Sequence, residues 1–194
     1  MQALIKITVR EIEAITGEAV ITFSNLSPSE LNWKPQPQKW SIAQCLHHLI
    51  VSNSTYFPQL DEIIAGKHHN SFYQNIGTIA RFFGDYLIKE TGAVVGKSMK
   101  SPSAFVPSHS DIPGTIVADF GKHQAQLAQK IELLDKMNLD ETVLYSPALK
   151  IITYSLRDLL VILAGHERRH LTQAKNVLLA MKGDPKIISA ANSV

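Results

Sequence analysis

Apolar residues recur at three- and four-residue steps along four long segments, and a chain patterned in this way can bury them only by packing helices side by side. In the first segment Ile5, Val9, Ile12, Ile15, Ala19 and Phe23 trace one helix face. Ser24-Asn25 and then Ser27-Pro28 stop it, and three prolines in the stretch to Lys39 predict an irregular connection. Ser41, with Gln44 three residues on, has the pattern of a capping box and opens a second helix running to about Ala65, where Gly66 ends it. Pro58 lies inside that helix and is expected to kink it.

A shorter helical piece is expected over 76–90, and the Ser-, Pro- and Gly-rich stretch Gly92–Pro113 reads as a long surface loop. Gly114–Met137 forms the third long helix, with Ile116, Phe120, Leu127, Ile131 and Leu134 inward. Residues 142–154 look extended, with a turn at Ser146-Pro147 suggesting a small hairpin. Ser155 caps a final helix, Leu156–Met181, which Gly183 ends. The expected fold is all-α, a four-helix bundle with long crossover connections, over residues 1–182 with a C-terminal tail over 183–194.

A chain of 194 residues can bury a sufficient core without disulfides, and its single cysteine, Cys45, allows no internal one. Cysteine usage and the charges that interrupt the first apolar run (Lys6, Arg10, Glu11, Glu13) point to a cytoplasmic protein without a secretory leader. The longest unbroken apolar run, Leu159 to Ala164, cannot span a bilayer, so no membrane partner is expected. A net charge of +2 without a basic block argues against nucleic acid.

The chemistry-bearing signal is His166-Glu-Arg-Arg-His170 on the final helix. Histidines four apart stand one turn above each other and can share one ion. Eight histidines in 194 residues give about 0.3 such pairs by chance, so the spacing carries weight only with a third ligand. The same residues match the H-E-x-x-H pattern of zinc proteases, with Glu167 as base, but no His or Glu follows His170 to complete that site. Glu167 is therefore expected to be a solvated helix residue that could still reach a metal-bound water. Third-ligand candidates are His47, His48, His109 and His123, with His68 and His69 in a surface turn. His48 can point at a helix seam with Gln44 and Ser52 a turn away. His47 lies about 100° round the helix, and His123 is within a turn of inward Phe120 and Leu127.

Cys45 is expected to be a buried core thiol. Trp33 and Trp40 read as packing, Trp40 as a lid over the bundle end. Arg168 and Arg169 read as solvated charges, and Gln173 is placed to orient His170.

The run W-S-x-x-Q-x-L-x-H-L, Trp40 to Leu49, followed by H-x-x-x-H-x-x-Q, His166 to Gln173, resembles the DinB-like (YfiT-like) superfamily. The resemblance covers nearly the whole chain, to about Met181. It implies a first metal histidine eight residues after the tryptophan, which selects His48, with His166 and His170 as the other two ligands. It further implies a divalent ion such as zinc or nickel, an open coordination position and a homodimer. It suggests catalysis with a low-molecular-weight thiol such as bacillithiol or mycothiol as co-substrate, hence a thiol S-transferase acting on small electrophiles. The alternatives are a metal-dependent hydrolase of small amides or esters and a non-catalytic metal-binding stress-response protein.

Overall fold

The computed structural model describes residues 1–68, 111–147 and 149–183, with Lys150 by its backbone alone. The helical piece expected over 76–90, most of the Gly92–Pro113 loop, His69, His109 and the tail beyond Gly183 lie outside the described residues. The elements are helices α1 (Ala3–Phe23), α2 (Pro28–Asn32), α3 (Ile42–Ser54), α4 (Phe57–Ile64) and α5 (Ile116–Leu133), a 3-10 turn (Leu134–Lys136), strands β1 (Val143–Ser146) and β2 (Leu149–Ser155), and helix α6 (Leu156–Met181).

Helices α1, α3, α5 and α6 form a four-helix bundle. α1 packs against α5 and α6, and α3 packs against the same two. α1 and α3 therefore face each other across a diagonal, as do α5 and α6. Two of the three successive pairs of bundle helices, α1 with α3 and α5 with α6, are thus not neighbours in space, while α3 and α5 are, which is the crossover topology expected from the long connections.

The helix starts follow local chemistry. At Ser41 and at Ser155 a reciprocal capping box closes, with Gln44 and Asp158 as the third-position partners. Gly183, at φ +83°, supplies the left-handed residue that ends α6.

Two expectations need correction. The stretch before Lys39 is not wholly irregular: Ser27 and Glu30 form a capping box, Pro28 fills the first turn, and a five-residue helix results. The helix after Ser41 is not a single kinked one. It ends at Ser54 and restarts at Phe57, because Pro58 has no N–H for the Ser54 carbonyl and its ring would collide with it.

The hairpin forms as expected, antiparallel with Val143 opposite Ser155 and an irregularity at Tyr145/Ser146. Gln59 on α4 pins it by bonding both the N–H (3.1 Å) and the carbonyl (3.0 Å) of Tyr145. The Tyr56 and Tyr154 hydroxyls meet at 2.7 Å beneath it.

The core has two apolar halves. One gathers Ile15, Ala19 and Phe23 of α1, Ile42 to Leu49 of α3, Phe120 of α5 and Leu171 to Leu178 of α6. The other gathers Ile5 to Ile12 of α1, Leu60 of α4, Leu127 and Ile131 of α5, the hairpin, and Leu156 to Leu163 of α6. Buried Gln124 and Glu167 lie where the halves meet, Gln124 between Phe120 and Leu127 and Glu167 between Leu163 and Leu171 along their helices, with buried Asn53 bonded to Glu167.

Candidate metal centre

The adjacency of α3 and α6 brings His48, His166 and His170 together, one ligand atom of each lying within 4.8 Å of the others. The Nε2 atoms of His48 and His166 are 3.1 Å apart. The ring centroids are 4.5 Å apart for His48 and His170, and 4.6 Å for His166 and His170. His48 and His170 are buried and His166 is half-buried. His170 Nδ1 meets Gln173 Oε1 at 2.9 Å, so the ring is held as the tautomer that donates from Nδ1 and leaves Nε2 as a ligand. Trp40 closes one side, stacked on His170 (5.6 Å, 19°) and tilted against His48 (4.9 Å).

Burial is the largest cause of the low pKa values at His166, about 3, and His170, about 2; the neighbouring imidazoles and Arg169 depress both further, against a small opposing effect of Gln173 on His170. These rings stay neutral at physiological pH, the form in which imidazole binds a metal. Three imidazole nitrogens that converge, two of them on buried residues and one on a half-buried residue, are chemically suited to a divalent ion.

The other described histidines lie apart from this cluster. His123 is buried on α5 and stacks on Phe57 (5.1 Å, 10°), with its pKa lowered to about 4 by burial. His47 is half-buried, and its Nδ1 has no hydrogen-bond partner in the structure. His68 bonds the Val143 carbonyl at 3.0 Å. Cys45 is fully buried, with a thiol pushed well above its usual range, as expected of a core residue.

Glu167 is not the solvated residue anticipated. It is 0 % exposed, and its two carboxylate oxygens accept from Asn53 Nδ2 on α3 and Gln124 Nε2 on α5, each at 2.5 Å. Burial raises its pKa to about 7, against the lowering effect of the two amides. Arg168 is likewise no free surface charge. It pairs with Glu11 at 2.7 Å and Glu18 at 2.6 Å, fastening α6 to α1, while Lys175 reaches Glu18 at 2.5 Å. Arg169, about 100° round the helix from Arg168, is half-buried.

Asn53 and Gln124 were not among the residues singled out from sequence. The available signal was positional, since each is a polar residue in an apolar helical stripe.

A family model described as the DinB superfamily matches residues 11–174, a span that includes all three clustered histidines. No curated protein and no solved structure matches the chain.

Proposed function

The chain belongs to the DinB superfamily, and on that premise we propose that it is a metal-dependent transferase that activates a low-molecular-weight thiol for attack on small electrophiles. His48, His166 and His170 are the proposed ligands of one divalent ion, zinc or nickel. The observation that carries the reading is the donor set: three imidazoles, with no cysteine or carboxylate grouped with them among the described residues. A divalent ion held only by neutral ligands keeps its charge available to an exogenous anion, and would favour the thiolate over the thiol. The chain's own part is to hold His166 and His170 neutral by burial, orient His170 through Gln173 and shield one side with Trp40.

A hydrolase at this site would need a base to take a proton from the attacking water. Glu167 is the acid nearest in sequence, and both its oxygens are committed to amides in the core. The transferase reading is therefore favoured over the hydrolase one. Association as a homodimer and a cytoplasmic location are further parts of the proposal.

The test is consumption of a small electrophile by metal-loaded protein with bacillithiol, mycothiol, glutathione or coenzyme A. Thiol-dependent turnover should fall at least 100-fold on chelation or in His170→Ala, and Cys45→Ser should leave it nearly unchanged. Failure of every thiol to react above the metal-free control would contradict the reading and favour a non-catalytic metal protein.

A further inference from the structure

Each of three core stripes carries one polar residue. On α6 the stripe runs Leu160, Leu163, Glu167, Leu171, Ala174; on α5 it runs Phe120, Gln124, Leu127, Ile131; on α3 it runs Leu46, Leu49, Asn53. Spacings of three and four put each polar side chain where the pattern calls for an apolar one. The three positions meet at one point, since Glu167 receives Asn53 on one oxygen and Gln124 on the other. Asn53 and Glu167 are 0 % exposed and Gln124 is 1 % exposed.

Such a cluster is an expensive way to fill space. Burying a carboxylate costs more than burying leucine, and replacing a buried polar cluster by apolar residues of similar volume often leaves a fold as stable or more so. The carbonyl oxygens Asn53 Oδ1 and Gln124 Oε1 have no protein partner, which adds to the cost. What the cluster supplies is direction. Leucine stripes can slide along one another with little change in buried area, whereas a carboxylate held by two amides has one register.

Register matters here because Glu167 lies between His166 and His170 in sequence, and Asn53 is five residues beyond His48. A shift of α6 along α3 that left the apolar packing tolerable would still separate His48 Nε2 from His166 Nε2, now 3.1 Å apart. Metal–nitrogen bonds of about 2.0–2.1 Å allow little error in the placement of ligands that come from two helices.

We propose that Asn53, Gln124 and Glu167 form a register clamp, positioning residues that lock α6 against α3 and α5 so that His48 meets His166 and His170 in metal-binding geometry. The proposal rests on the three histidines being the metal ligands. Glu167 in this role neither touches the ion nor takes a proton from substrate; it acts through the placement of its helix.

The experiment measures cobalt(II) affinity from the visible absorption of the bound ion, beside the Tm of the metal-free protein, for wild type and variants. In the triple variant Asn53→Leu/Gln124→Leu/Glu167→Leu the Tm should equal or exceed that of wild type, while cobalt affinity falls at least tenfold and the absorption bands shift. Glu167→Gln can still accept from one amide and donate to the carbonyl of the other, so it should stay within about threefold of wild type. Should the triple variant fail to fold, Asn53→Ala cuts the link to α3 alone and should cost at least threefold in affinity. A folded triple variant within twofold of wild type overturns the clamp, as does unchanged affinity in Asn53→Ala or a Glu167→Gln loss as large as that of the triple. Wild-type protein that binds no cobalt overturns the metal reading and the clamp with it.

Discussion

A metal-binding histidine must be neutral, and at His166 and His170 burial secures this before any ion arrives. The same burial makes the metal-free fold acid-sensitive. His123, His166 and His170 have folded pKa values of about 4, 3 and 2, against an ordinary 6.5. Below 6.5 the unfolded chain takes up protons that the folded chain refuses, so stability present above that pH is lost as pH falls. Glu167 opposes this: its pKa, raised to about 7, makes the folded state the better proton binder between 7 and the ordinary 4.5. Three histidines against one carboxylate leave the unfolded state ahead by about two protons, or up to about 2–3 kcal/mol per pH unit between 6 and 5. Urea midpoints of chelated protein should therefore drop from pH 7.5 to pH 5, and His123→Gln should flatten the slope; a midpoint that is level or rises on acidification would contradict the assignment. His166 and His170 were legible as a pair because four residues make one helical turn. The inward direction of Glu167 was legible too, from Leu163 and Leu171 four residues to either side, but the H-E-x-x-H pattern drew the reading outward.

Helices declare themselves in sequence when their ends carry local chemistry. Ser41 and Ser155 did so through side chains that bond backbone N–H groups three residues on, and both boundaries fell where those residues predicted. The five-residue α2 escaped because a single turn shows no periodicity, and its three neighbouring prolines read as a connection although Pro28 sits where a first turn favours it. The break between α3 and α4 was underestimated for a different reason. Pro58 leaves the Ser54 carbonyl without its helical donor, and here the chain restarts a helix with proline in its first turn instead of bending through it. At this scale the cap of α6 matters most, since α6 carries two of the three clustered histidines. Ser155→Ala removes the acceptor for the Asp158 N–H and the hydroxyl bond to its carboxylate, and should cost about 1 kcal/mol of stability. Cobalt affinity should stay within about twofold, because the cap lies three turns from His166. A large affinity loss without a stability loss would show that α6 is positioned from its N-terminus and not at mid-bundle.

At the scale of the whole molecule, buried polar residues lie where two apolar halves meet, and the candidate centre adjoins them through Glu167, between His166 and His170 in sequence. Composition and periodicity specify that helices pack, but they do not say which pack on which. α1 and α3 are consecutive yet sit on a diagonal, and only their separate contacts with α5 and α6 bring His48 to the α6 histidines. The choice of His48 over His47 and His123 came from the family resemblance, because each of the three histidines has a helix face that could turn inward. In the structure His48 joins His166 and His170, while His123 stacks on Phe57 away from them. The proposed activity requires that these three residues hold one ion. Elemental analysis of purified wild-type, His48→Ala and His123→Ala protein after loading with zinc and removal of excess tests this directly. Wild type and His123→Ala should each hold one zinc per chain, and His48→Ala less than one tenth of that; full occupancy in His48→Ala with loss in His123→Ala would contradict the ligand assignment.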